Sequence, residues 1–348
     1  KVTAHLVAVN GVMSGCPPEY MPILIAFTKA MKSGDFRRTL SSTHAWTPYC
    51  WINGPLARQL ELDSSQGEIS NIRNAKIGRF INLAMLNFGG FHIKENRMGT
   101  FGYLMPWCLV ENDIAAIKLN WLPYHMLQGY ALNDSVLTAS SALAWGNNLS
   151  PATSDPQKIM EMMAWDAVEK QQFAVGSGTP CVFRTMLITE QVAKNLASYF
   201  DSKEALETAL VVTARRPLEE RVYANYWGNP GSAFNPEKYS LNKHKNRIRR
   251  QERSSITKTP PWLAWTGKEK METVPVMMYG KTALLITGDS NRNKTMCIPG
   301  GGAASIKIEL PKNWDKLMEQ SGYKPLKEYF LKSDLVPARS PQQFRQYR

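Results

Sequence analysis

Among the cysteines, Cys16 is where chemistry is easiest to place: it follows an apolar run and a Gly-rich turn (Gly11, Ser14, Gly15) and precedes a helical pattern. A helix N-terminus offers spare amides and a positive dipole end, which stabilise a thiolate and draw a cysteine below its usual pKa of ~8.5. That makes Cys16 a candidate nucleophile or redox thiol. Pro17 and Pro18 suit such a start, because the first helical amides have no intrahelical partner and proline removes them. A small buried cysteine closing a strand-to-helix corner explains the same spacing, so both readings stand here. The five cysteines (Cys16, Cys50, Cys108, Cys181, Cys297) are odd in number and far apart with no CxxC pair, which argues against a disulfide framework or a zinc ribbon. That usage points to a reducing compartment, and a cytoplasmic location is expected.

Other chemistry-bearing types are scattered. His5, His44, His92, His125 and His244 form no HxH, HExxH or HxxxH pair, so no metal is expected and no cofactor is named. Gly288-Asp289 and the run Gly300-Gly301-Gly302 can present amides to an anion or simply turn the chain, and neither matches a dinucleotide or P-loop pattern. Lys243, Lys245, Arg247, Arg249, Arg250 and Arg253 crowd into eleven positions, the densest charge in the chain. No nucleic-acid signature accompanies them, and Tyr239, Trp262 and Trp265 lie outside the run, so a basic arm that is solvated or touches a subunit is expected rather than a nucleic-acid site.

Positioning such residues takes a scaffold, and the hydrophobic pattern supplies one. Residues 4–12 read as a buried strand, 18–31 as a helix, 47–53 as a strand, 69–88 as a long helix and 103–110 as a third strand. The stretch 135–145 reads as a seam between two lobes. Beyond it, Asp155-Pro156 starts a helix over 157–172, 181–189 is a strand, and 190–199 and 203–214 are helices. Strand-like sequence returns at 274–287, 295–298 and 306–310. The alternation predicts an α/β fold of two lobes, 1–134 and 135–348, with parallel or mixed sheets flanked by helices. An irregular basic insert rich in Trp and Pro interrupts the second lobe at about 223–273.

The whole composition agrees with a folded protein: of 348 residues, 43% are hydrophobic and 20% charged, which excludes disorder, and no apolar run approaches the ~20 residues of a membrane span. A net charge of +13 favours anionic partners. The chain opens at Lys1 rather than Met, and residues preceding it in the full protein are expected.

The strings NGVMSGCPPEYMPILIAF, WINGPLARQLEL, NAKIGR, CLVEN, PYH, LLITGD and CIPGGGAASIKIELP, running nearly end to end, resemble a bacterial family with an N-[AG]-V-M-[AS]-G-C-x-P-E-Y signature. That family is associated with thiol or selenol proteins carrying a Sec/Cys-Gly-Ser-Cys (UGSC-type) motif. The insert at 235–270 has no counterpart in the pattern. The resemblance marks Asn10, Cys16, Glu19, Tyr20, Asn53, Gly54, Asn74, Arg79, Glu111, Asn112 and His125, which it implies converge at the carboxyl edge of a sheet. Glu111 or His125 would then serve as acid or base beside Cys16, with the others binding substrate; plain capping roles for Glu19 and Glu111 and a loop role for His125 are the alternative.

The expected function is a cysteine-dependent oxidoreductase or lyase acting through Cys16 on a small anionic molecule, with a thiol or selenol protein as partner. The rival expectation is a non-catalytic subunit docking through the insert. Tyr226, Trp227, Phe234, Trp262 and Trp265 beside a basic run suggest a homo-oligomer or hetero-complex, since Tyr, Trp and Arg favour interfaces.

Overall fold

In the computed structural model, which describes residues 2–32, 39–40, 44–100, 102–170, 183–217 and 273–332, the run at 4–12 is a helix and not a strand. A short, continuously apolar run carries no period that separates the two. Thr3 decides the matter locally: its hydroxyl accepts the Leu6 amide at 3.3 Å and caps the helix, which buries Val7, Asn10 and Gly11 on one stripe. The expected insert, its basic run and its aromatics lie outside the described residues apart from Thr273, as does Cys181.

In chain order the elements are α1 (Ala4–Met13), a 3-10 turn (Pro18–Tyr20), α2 (Met21–Ala30), β1 (Thr47–Asn53), α3 (Pro55–Gln59), α4 (Ile72–Asn87), β2 (Cys108–Val110), α5 (Asp113–Lys118), α6 (Tyr124–Leu127) and β3 (Val136–Ala142). Then come α7 (Pro156–Glu169), β4 (Phe183–Ile188), α8 (Glu190–Ala197), α9 (Lys203–Thr213), β5 (Arg215–Pro217), β6 (Thr273–Pro275), β7 (Thr282–Ile286), β8 (Thr295–Gly300), β9 (Ala304–Lys307) and α10 (Trp314–Gln320). Asp155 caps α7 as its sequence predicts, accepting the Gln157 and Lys158 amides at 2.9 and 3.2 Å. The strand expected over 103–110 shrinks to β2, because Pro106 just before it has no amide for a ladder.

Seven strands form one mixed sheet in the order β2-β1-β3-β8-β4-β7, with β9 also beside β3. The β1/β2 and β4/β7 pairs are parallel and the others antiparallel, while β5 and β6 make a separate two-stranded ribbon. The sheet is flanked by helices, so the fold is α/β. The stretch 135–145 contains β3, buried at every position and paired with β1 on one side and β8 and β9 on the other, so strands from both halves of the chain share this sheet.

The sheet curls until its edge strands meet. The Asn112 amide donates to the Ile286 carbonyl at 2.8 Å, joining the segment after β2 to β7. Inside the curl, Tyr49, Trp51, Trp107, Leu109, Phe183, Leu285 and Ile298 pack with Tyr124 into one apolar cluster. Alternate residues of β1 and β2 (Cys50, Ile52, Cys108, Val110) face outward into a second core under α1, α2 and α4. A third core lies between β4, β7 and β8 and the helices α5, α7, α8 and α9. Among the described residues no helix is long and apolar enough to cross a membrane.

Candidate functional site

The first marked group lies where α1 gives way to α2. Gly15, at φ +77°, ends α1: its amide donates to Val12 O and the Cys16 amide to Gly11 O, both at 2.9 Å. This left-handed turn closes the helix in a Schellman arrangement and fixes Cys16 as the first residue beyond it. A methyl at Gly11 would come within 2.8 Å of Leu24 Cδ1, so glycine there lets α2 approach α1 closely. Cys16 therefore follows a helix, and what it precedes is the short 3-10 turn rather than a full helical N-terminus.

Cys16 is 8% exposed, and its Sγ–H donates to Lys76 O on α4 at 3.4 Å. The positive charges of Lys76 and Arg79 favour the thiolate, yet burial outweighs them and pushes the Cys16 pKa up to about 11. Desolvation thus works against the thiolate that a helix dipole would favour. The half-buried Lys76 and the exposed Arg79 are one turn apart on α4, and the guanidinium lies over Gly15, 3.5 Å from where a Cβ would stand.

Around this corner, Tyr20 is buried and its phenol is pushed well up by that burial, with Cys16 and Cys108 among the groups it feels. Asn74 Nδ2 donates to Asp63 O at 2.8 Å and Cys108 O at 3.3 Å, tying α4 to β2. Asn10 is a helix-packing residue whose Oδ1 accepts from Asn87 Nδ2 at 2.5 Å. Glu19 is half-buried, and its Oε2 has no hydrogen-bond partner among the described residues.

The second group gathers at the carboxyl ends of β1 and β2. Asn53 Nδ2 donates to Glu111 Oε2 at 2.7 Å and to Asp113 Oδ1 at 2.8 Å. Glu111 also accepts the Tyr124 amide at 2.8 Å and forms a fully buried ion pair with Lys203 of α9. Asp113 Oδ2 accepts the Gly54 amide at 2.6 Å and Arg58 Nη1 at 3.2 Å. Gly54 stands at φ +97°, and a Cβ there would sit 2.3 Å from Asp134 O, so only glycine fits. Asn112 caps α5 through the Ala115 amide at 3.0 Å.

His125 Nε2 lies 3.2 Å from Leu132 O. None of the hydrogen bonds of Glu111 or His125 reaches Cys16. The marked residues thus form two clusters, one around Cys16, Tyr20, Asn74 and Arg79 and one around Asn53, Gly54 and Glu111.

Sequence reasoning names Arg79 but not Lys76, although their i, i+3 spacing on a helix is the signal that joins them. It also misses Lys203, Asp113 and Glu68. Glu68 is buried beside Thr287 and the Val110 amide, and burial pushes its carboxyl up to about 8. No local pattern announces these three, since each partner comes from a distant element. Among the described residues no group of three or more His, Cys, Asp or Glu is placed to hold a metal ion. In comparisons with known proteins, no family model and no curated protein matches the chain.

Proposed function

We propose that the chain is a thiol-dependent enzyme in which Cys16 attacks a small anionic substrate seated by Lys76 and Arg79. The observation that supports this is the placement of a largely buried thiol against the one turn of α4 that carries both cations. With a pKa of about 11, only about one thiol in 10⁴ is ionised at pH 7, so the resting sulfur is guarded against adventitious reagents. Reaction then requires the Sγ proton to leave, and a basic oxygen of the bound anion is the acceptor that the two cations would hold nearby. The reaction class is covalent or redox thiol chemistry. A second thiol or selenol protein is the partner type that would return Cys16 to its reduced form.

Alkylation of the full chain by anionic iodoacetate and neutral iodoacetamide, read at Cys16 by peptide mass spectrometry, tests the seat. Relative to free cysteine, the iodoacetate-to-iodoacetamide rate ratio should rise about tenfold, an attraction of about 1.4 kcal/mol, and fall back in Lys76→Met and Arg79→Met. Both rates should climb with pH toward an inflection near 11. A ratio equal to that of free cysteine and indifferent to both variants would overturn the seat, and an inflection near neutrality would overturn the guarded thiol.

A further inference from the structure

Cys50 of β1 and Cys108 of β2 are register partners in the parallel pair, both fully buried and both facing the outer core that also contains Cys16. The Cys108 thiol donates to Leu109 O at 3.6 Å, and its pKa is pushed well up by the neighbouring Cys50 thiol and by burial, with Cys16 among the charges it feels. Neighbouring strands run about 4.8 Å apart, and a disulfide accepts Cα separations of about 4.4 to 6.8 Å, so the register of this pair meets the Cα requirement of a disulfide. A linear reading cannot find it, because the two cysteines meet only through strand register.

We propose that Cys50 and Cys108 form a reversible cross-strand disulfide, reached through Cys16 at the expense of an anionic low-molecular-weight disulfide. The inference rests on the thiol reading of Cys16 and names a substrate class for it. In the first step the Cys16 sulfur, having lost its proton, bonds to one sulfur of the small disulfide; the S–S bond breaks and the other half leaves, taking up a proton as a free thiol. Cys108 then attacks the Cys16 sulfur of the mixed disulfide, expelling the second half as a thiol that takes up the Cys108 proton. Finally Cys50 attacks the Cys108 sulfur and displaces Cys16, which regains a proton as Cys50 loses one.

The sum is one small disulfide and two protein thiols converted to two small thiols and one protein disulfide, with no other oxidant. Each exchange needs the attacking sulfur as a thiolate, and an excess of the small disulfide drives the sequence forward by mass action. Lys76 and Arg79 supply the attraction for the anionic groups of the substrate.

Oxidised glutathione is the probe. The reduced full chain is incubated with it, quenched by alkylation, and followed by intact mass and peptide mapping. The expected result is release of two glutathiones per chain, loss of two hydrogens and a Cys50–Cys108 linked peptide. Cys16→Ser should slow that linkage by about 100-fold or more, because Cys50 and Cys108 are fully buried and Cys16 is the one of the three with any exposure. Wild-type mapping needs no variant to fold, and Cys50→Ala adds a check by halting the chain at a disulfide that includes Cys16.

A chain that carries glutathione on Cys16 while Cys50 and Cys108 stay reduced would overturn this inference and leave Cys16 as a reactive thiol. A Cys50–Cys108 bond that forms equally fast in Cys16→Ser would overturn the relay. A chain that takes up no glutathione and forms no linkage would remove both the relay and the thiol-exchange reading of Cys16.

Discussion

Thr287 Oγ1 has one proton and close oxygens on two sides: Glu68 Oε1 at 2.8 Å and Val110 O at 2.9 Å. If Glu68 is a carboxylate, the hydroxyl can serve only one of them. A protonated Glu68 resolves the conflict, donating to Thr287 Oγ1 while Thr287 donates to the Val110 carbonyl, and its other oxygen still accepts the Val110 amide at 3.1 Å. Hydrogen-bond counting thus agrees with the raised pKa, whose largest cause is burial. Because the folded-state value, about 8, lies above the ordinary 4.5, the stabilisation from this neutral acid is complete below pH 4.5 and is lost as pH rises toward 8. Within that window each pH unit should remove about 1.4 kcal/mol at most. Urea unfolding of wild type and Glu68→Gln across the range is the measurement. Glutamine reproduces both bonds without a titratable proton, so the slope due to this group should vanish; a slope unchanged in the variant would mean that another group carries it.

At the scale of elements, the strand-end cluster works as a fastener. Lys203 opens α9, Glu111 follows β2 and Asn53 ends β1, so one buried ion pair with its hydrogen bonds links a helix on the far half of the sheet to two strands of the near half. Removing one charge strands the other where water cannot reach it, so Lys203→Met should cost about 3 to 5 kcal/mol. Adding Glu111→Gln to that variant should restore part of the loss, which thermal and urea denaturation of the single and double variants would show. The ease of reading elements from sequence followed the same division between local and distant causes. Asp155-Pro156 announces α7 because a cap is local chemistry, and Tyr20, Ile23, Leu24 and Phe27 announce α2 because a helix displays its own period. Residues 4–12 do not announce α1, since an evenly apolar run suits either element until tertiary packing decides. The site divides likewise: Cys16 and Arg79 are legible as a loop cysteine and a helix cation, whereas Lys203 beneath Glu111, or Cys50 opposite Cys108, follows only from which strands become neighbours.

The molecule as a whole depends on a curl that no single strand encodes. β1 and β4 are not neighbours in the sheet, with β3 and β8 between them, yet Tyr49 OH and Thr185 Oγ1 are 2.6 Å apart. That bond crosses the interior where Tyr49 also stacks on Trp107, with ring centroids 5.0 Å apart, so it braces the two walls of the curl. Both residues are fully buried, so neither hydroxyl has water to fall back on. Tyr49→Phe keeps the ring and its stacking and leaves Thr185 without this partner, a change that should cost about 1 to 3 kcal/mol. Thr185→Val should cost a similar amount by stranding the phenol. Together, however, the two substitutions replace a buried polar pair by an apolar one of nearly the same shape, which can be close to neutral. The double variant should therefore be more stable than the sum of the single losses implies, with a coupling of about 1 kcal/mol or more in a double-mutant cycle measured by urea unfolding. Strict additivity would mean that the hydroxyls do not brace the walls. In that case the curl would be held by the apolar cluster and by the bonds that join its edges, Asn112 to Ile286 and Thr287 to Val110 among them.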